Sequence, residues 1–301
     1  MSFSSYVEGF FLLYFVFIGL AVEGSKAFVI ESKSWQYKGH HIGYEEATRV
    51  FNLGVDNDTD EINKKHSDQY PVLILNGFGV GSFHQHRLMP NLISASPDND
   101  DEDGSDKVQE VVRTVYGVDY LGQGRSWPVD CDDGNSLNEK GLIYSIDTWT
   151  DQIIEFIESV ILPNHTSGEK IKVHLIGNSV GGHLTAILAA KRPDLIESIC
   201  LLNATPVWGL NLPFWDGALP PPFLPRKIGR YLFDQIRDLN TIAKYLESAY
   251  ANRNAFDEKL MKQIRGCTEG RGGHAAFASI MWSPPTVSFI SCYCPLLPSI
   301  S

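Results

Sequence analysis

Ile171-Lys-Val-His-Leu-Ile176 is a short apolar run that leads directly into Gly177-Asn178-Ser179-Val180-Gly181-Gly182, and a helical pattern follows from Gly181 to Lys191. A Gly-x-Ser-x-Gly turn between a strand and a helix is a nucleophile elbow, which holds a serine hydroxyl exposed at the carboxyl end of a sheet. The turn forces Ser179 into a strained backbone conformation. Small residues at Gly177 and Gly181 let strand and helix approach closely enough to sustain it. Ser179 is therefore the candidate nucleophile for acyl transfer. Charge developing on a carbonyl oxygen calls for donors fixed in advance, and backbone amides meet that need best. Val180 supplies the first. The second comes from Asn76-Gly77-Phe78-Gly79, the loop after an earlier strand, and is assigned to Phe78.

Outward from the elbow, Val72 to Leu75 and Val115 to Asp119 are apolar runs that each end in a Gly-rich loop, the pattern of buried parallel strands. Trp35 to Tyr44 alternates around Lys38-Gly39 and predicts a hairpin. Helices are expected from about His84 to Ser94 and from an N-cap at Asp147, the latter carrying Trp149, Ile153, Phe156 and Ile157 on one face. Ser198 to Leu202 predicts a sixth strand of the same buried type. This alternation means an α/β fold with a doubly wound, mostly parallel sheet over residues 28–205. From Pro206 the texture changes to aromatic and Pro-rich sequence. Helical patterns at Ile228 to Ile242, Phe256 to Ile264 and Ala275 to Trp282 make residues 206–285 a helical lid insertion. Trp208, Phe214, Trp215, Phe223, Leu224 and Phe233 suit either a large apolar ligand or a core. Residues 286–301, with Cys294-Pro-Leu-Leu297, read as the start of a further strand.

The chain has 301 residues, 43% hydrophobic and 20% charged, which is a globular composition and excludes collagen-like and low-complexity classes. Lys and Arg number 25 against 36 Asp and Glu, a net charge of −11 without any long basic run, so a nucleic-acid partner is excluded. Much of the acidic excess falls between Asp98 and Glu110, expected as a solvated loop. Five cysteines (Cys131, Cys200, Cys267, Cys292, Cys294) lack paired metal-ligand spacing and read as free thiols; no metal site and no cofactor motif is legible. Asn203-Ala-Thr205 fits a glycosylation sequon and is expected to be buried. In residues 1–27, Phe10 to Val22 carries no charge and is too short to span a bilayer, and Ser25-Lys26-Ala27 offers a cleavage site, so the segment reads as a signal or targeting sequence.

Four stretches make the chain resemble the α/β-hydrolase superfamily over roughly residues 35–285: Ser34-Trp-Gln-Tyr-Lys-Gly39, Asn76-Gly-Phe-Gly79, the Asp119 to Ser126 loop and the elbow. Within it they are most similar to the pheophytinase and chlorophyll dephytylase group of plastid esterases, whose members carry His where this chain has Asn76. The resemblance implies a cofactor-free serine hydrolase of a bulky hydrophobic ester, such as a phytylated chlorophyll derivative, with possible contact to a membrane surface. Ser25-Lys-Ala-Phe28 similarly resembles an element of algal plastid presequences, which implies a plastid address; otherwise the segment implies the secretory pathway. Serine at 179 excludes the haloalkane dehalogenase and epoxide hydrolase branches, which need a carboxylate nucleophile there.

The family order is Ser, acid, His, with the last two after later strands. Here only His183 and His274 follow Ser179, the first expected to pack away from the hydroxyl and the second to precede a lid helix. The position after the sixth strand is Asn203, which cannot ionise. The expectation is a C-terminally truncated hydrolase sequence. The alternative is a non-catalytic homologue that keeps the elbow without the acid and histidine.

Overall fold

The computed structural model describes residues 28–49, 71–94, 114–127, 142–165, 171–205, 212–219, 221–269 and 273–282. The expected targeting segment, the acidic loop, Trp208, Cys131, Cys292 and the Cys294 to Leu297 stretch lie outside them.

Strands β1 (Phe28–Tyr37) and β2 (His40–Arg49) form the expected hairpin, each strand ten residues long. Lys38 and Gly39 turn the chain at φ 47° and 84°, two successive positive values whose twist matches that of the flanking strands. With β3 (Val72–Leu75), β4 (Val115–Val118), β5 (Val173–Asn178) and β6 (Ile196–Leu202) they build one sheet of order β1-β2-β4-β3-β5-β6. Strands β4, β3, β5 and β6 run parallel, and β2 joins β4 antiparallel.

All side chains of β3 and β4 are buried, because helices cover both faces. The period of two sorts β3 cleanly. Val72 and Ile74 pack with Met89 and Ile93 of α1 (Met89–Ser94), while Leu73 and Leu75 join Trp149, Ile153 and Phe156 of α2 (Ile146–Phe156) and Leu184 and Leu188 of α3 (Val180–Lys191) on the other face. This is the expected doubly wound arrangement.

Several sequence expectations need correction. The single helix over His84 to Ser94 is instead a 3₁₀ turn at Ser82–Gln85 followed by α1. Pro90 lacks the N–H that would continue an upstream helix, so the chain restarts there. The cap of α2 is Ser145, whose hydroxyl accepts from the Thr148 amide at 3.2 Å; Asp147 falls in the first turn, where its charge favours the helix dipole. Strand β6 is not of the buried type: every residue after Ile196 is exposed, including Ile199, Leu201 and Leu202, as befits an edge strand. Asn203 and Ala204 are exposed for the same reason, so that sequon is not buried.

Among the described residues, four α-helices follow β6: α4 (Phe223–Ile236), α5 (Leu239–Ala249), α6 (Glu258–Gly266) and α7 (Gly273–Trp282). The pattern at Ile228 to Ile242 is split between α4 and α5, because the Asp238 carboxylate accepts from the Asn240 and Thr241 amides and starts a new helix. Ile242, Leu246 and Ile264 pack with Val80 and Phe83, joining these helices to the loop after β3. Two polar contacts reinforce the junction. The Tyr250 hydroxyl meets His84 Nε2 at 2.9 Å, and Arg87 pairs with Asp257 and donates to the Ala255 carbonyl. No helix among the described residues is long and apolar enough to cross a membrane.

Burial holds His84 below its ordinary value, so the folded protein takes up its proton less readily than the unfolded chain. That stability is complete above the unfolded pKa of about 6.5 and is lost as pH falls below it. The urea midpoint is expected to drop between about pH 7.5 and about pH 5.5, and His84→Gln, which keeps a polar partner for Tyr250 but does not titrate, should flatten part of that slope.

Candidate active site

Ser179 sits between β5 and α3 at φ 53° and ψ −117°, a conformation that L side chains avoid. Backbone contacts clamp it there. Its amide donates to the Leu202 carbonyl at 3.0 Å, and its carbonyl accepts from Gly182 at 3.0 Å and Thr205 at 2.9 Å. The two elbow glycines are sterically required. A Cβ on Gly177 would lie 2.3 Å from Thr185 Oγ1, and one on Gly181 would lie 2.1 Å from the Leu75 carbonyl oxygen. Among the described residues no hydrogen bond engages the Ser179 hydroxyl, and the residue is only partly buried.

The loop after β3 lies against this turn: a Cβ on Gly77 would stand 3.4 Å from Ser179 Cβ and 3.3 Å from Asn178 Oδ1. Here the structure brings the loop that carries Phe78 beside the turn of Ser179 and Val180. Val180 opens α3, where first-turn amides have no partner within the helix. In the Asn76–Gly79 loop, the Gly79 amide donates to Gln123 Oε1 at 2.8 Å and is thereby occupied. Asn76 is 1% exposed; its Nδ2 reaches the Val118 carbonyl only at 3.5 Å, while its own carbonyl accepts from the Tyr120 hydroxyl at 2.8 Å. Burial raises Tyr120 well above its ordinary value, so the phenol remains a donor.

The residues that hold these loops were quoted in the sequence without a role. Asp119, 1% exposed at the end of β4, accepts from the Ser82 amide at 2.6 Å through Oδ1, and from the Arg125 amide at 2.9 Å and Nε at 3.2 Å through Oδ2. Arg125 Nη2 also donates to the Tyr44 carbonyl and the Ser82 hydroxyl, and lies 3.7 Å from the buried carboxylate of Glu45, which His86 contacts too. An aspartate at a strand end followed by Gly-x-Gly-x-Ser was the available signal, but its partners come from distant segments.

His183 is buried in α3, and burial lowers its pKa. His274 Nε2 lies 2.9 Å from Asp234 Oδ1, pairing α7 with α4. The His183 backbone amide donates to the Ser179 carbonyl at 3.4 Å, but neither imidazole is hydrogen-bonded to Ser179. Of the apolar residues that suit either a ligand or a core, Phe233 is buried against Phe277, whereas Phe214, Phe223 and Leu224 are exposed. Phe277 in turn faces Phe78 with centroids 6.3 Å apart, so α4 and α7 flank the candidate oxyanion loop. Among the described residues no three His, Cys, Asp or Glu side chains gather as metal ligands.

A family model of the alpha/beta hydrolase fold matches residues 70–239, more than half of the chain, and the chain belongs to that family. It is 32% identical over 252 residues to "Pheophytinase, chloroplastic" of Arabidopsis thaliana, covering 72% of this chain and 46% of that protein. It is 24% identical over 177 residues to "Abhydrolase domain-containing protein abhd-5.2" of Caenorhabditis elegans, covering 58% of this chain and 31% of that protein. The chain thus spans less than half the length of these curated relatives. Among solved structures, a peroxisomal alpha-beta-hydrolase from Saccharomyces cerevisiae aligns with a TM-score of 0.48 at 13% identity, over 88% of this chain and 70% of that one.

Replacing Ser179 by Gly removes the side chain that makes φ 53° costly. Ser179→Gly is expected to gain about 1–3 kcal/mol in urea unfolding, and Ser179→Ala, which keeps a Cβ, to gain almost nothing. Gly181→Ala should lose about 3 kcal/mol or more, or fail to fold, because the added methyl meets the backbone of β3.

Proposed function

We propose that this protein hydrolyses carboxylic esters with Ser179 as nucleophile. The observation that carries the reading is the strained Ser179, presented at the end of β5 beside the Asn76–Gly79 loop. Ser179 Oγ attacks the ester carbonyl carbon, and the amides of Val180 and Phe78 stabilise the oxyanion of the tetrahedral intermediate. Collapse breaks the bond to the alcohol and leaves an acyl-enzyme, which water then hydrolyses. A base must take the Oγ proton. The described histidines after Ser179 are engaged elsewhere, His274 with Asp234 and His183 inside α3, and this favours the second reading, a homologue that keeps the elbow and binds ligand without turnover.

The substrate we assign is a bulky apolar ester, and a phytyl ester of a chlorophyll derivative fits the 32% identity to the chloroplastic pheophytinase. Helices α4 to α7 act as the lid over it. Exposed Phe214, Phe223, Leu224 and Tyr231 give that lid an apolar outer surface suited to a membrane surface. By the same likeness the protein works in the plastid.

A fluorophosphonate probe is expected to label the purified chain, and Ser179→Ala to abolish labelling and lower any esterase rate about 10⁴-fold while leaving the urea midpoint almost unchanged. Labelling that survives in Ser179→Ala would place the nucleophile elsewhere. A folded parent protein that never labels would favour the non-catalytic homologue.

A further inference from the structure

Beside Phe78 the loops after β3 and β4 meet α4, α6 and α7 around a small cleft bordered by Gln123, Trp127, Phe233, Cys267 and Phe277. It encloses about 20 Å³, room for one small group. Among the described residues no charged side chain lines it, and burial pushes the Cys267 thiol up to about 12, so that side chain is neutral as well. Three of the residues that border it, Gln123, Trp127 and Thr268, carry hydrogen-bond donors, and the Thr268 hydroxyl is committed to the Arg265 carbonyl. Gln123 is 2% exposed, and its Oε1 is committed to the Gly79 amide. That bond settles the orientation of the amide, since the reverse would set an NH₂ against an N–H. Gln123 Nε2 is left buried without a partner, and Trp127 Nε1 is in the same condition. An unpaired buried donor costs roughly 1–3 kcal/mol, a penalty relieved when an acceptor arrives.

We propose that this cleft is a subsite for a neutral acceptor oxygen, a ketone or second ester carbonyl on an otherwise aromatic or apolar frame, received by the N–H groups of Gln123 and Trp127. Among the described residues no cation borders the cleft, which matches a neutral acceptor better than a carboxylate. The aromatic rings of Phe78, Phe233 and Phe277 receive the adjoining apolar frame. The inference rests on the hydrolase reading for its purpose: it makes Gln123 a specificity residue for an ester whose body carries a carbonyl a short way from the scissile bond. Gln123 also couples recognition to the oxyanion loop, because the same amide group holds Gly79.

Acetophenone and ethylbenzene, matched in shape and differing by the oxygen, test this without requiring turnover. In ¹H–¹⁵N spectra of the full chain, acetophenone is expected to shift the Gln123 side-chain amide and the Trp127 indole N–H, and to bind about tenfold more tightly than ethylbenzene. Gln123→Glu keeps the acceptor for Gly79 and loses the donor, so it should bring the two affinities within about twofold. Trp127→Phe keeps a ring without the N–H, and should lower the preference even where Gln123→Glu fails to fold. Equal affinities in the parent protein, or shifts confined to other residues, would overturn the subsite. Ser179 labelling without ketone preference would overturn this inference alone, and ketone preference without Ser179 labelling would overturn the hydrolase reading alone.

Discussion

The near contact between Gly181 and the end of β3 governs the rest of the structure. With only 2.1 Å between a notional Cβ on Gly181 and the Leu75 carbonyl oxygen, α3 can start only where a residue without a side chain meets the sheet. This closeness lets β5 turn into α3 through one residue and confines the distortion to Ser179. Hydrogen bonds from Ser179 to Leu202 and from Thr205 to Ser179 then make the strained turn part of the packing between β5 and β6. Strain of this kind persists only where the surroundings over-determine it.

Parallel strands carry their following loops to one edge of the sheet, and the loops after β3, β4 and β5 therefore converge. Convergence alone leaves loops mobile. Asp119 anchors them: one buried carboxylate is satisfied by the Ser82 amide from the β3 loop and by Arg125 from the β4 loop, while Arg125 reaches back to the carbonyl of Tyr44 in β2. Its carbonyl also accepts from the hydroxyl of Ser126, which itself accepts from the Gly43 amide. A buried charge so fully hydrogen-bonded specifies one arrangement, because any other would leave it unpaired. The Asn76–Gly79 loop is tied to the loop after β4 by the hydrogen bond from the Gly79 amide to Gln123.

The helical layer is held differently. It meets the core through the cluster of Ile242, Leu246 and Ile264, the His84 and Tyr250 contact, the exposed Arg87 pair, the approach of Phe277 to Phe78, and Ala276 of α7, which packs with the sheet core. The opposite edge contrasts with it: β6 leaves Ile199, Leu201 and Leu202 exposed, although the apolar pattern of Ile196 to Leu202 reads as a buried strand. Periodicity reports how apolar a strand is, and neighbours in space determine whether its faces are covered.

What the sequence determined by itself was local and chemical. Val72 to Leu75 and Val115 to Val118 had to be strands buried on both faces, Lys38-Gly39 had to be a tight turn, and Gly177 to Gly181 had to be an elbow, because residue type alone sets the accessible backbone there. The helix starts at Ser145 and Asp238 turn on which hydroxyl or carboxylate reaches which amide, a choice that depends on the folded chain. Only the tertiary structure decided the roles of Asp119, Arg125 and Gln123. Beyond the local Asp119–Arg125 pair, their side-chain partners lie 37 to 81 residues away along the chain, and a buried polar group gains its meaning from the groups that fold around it.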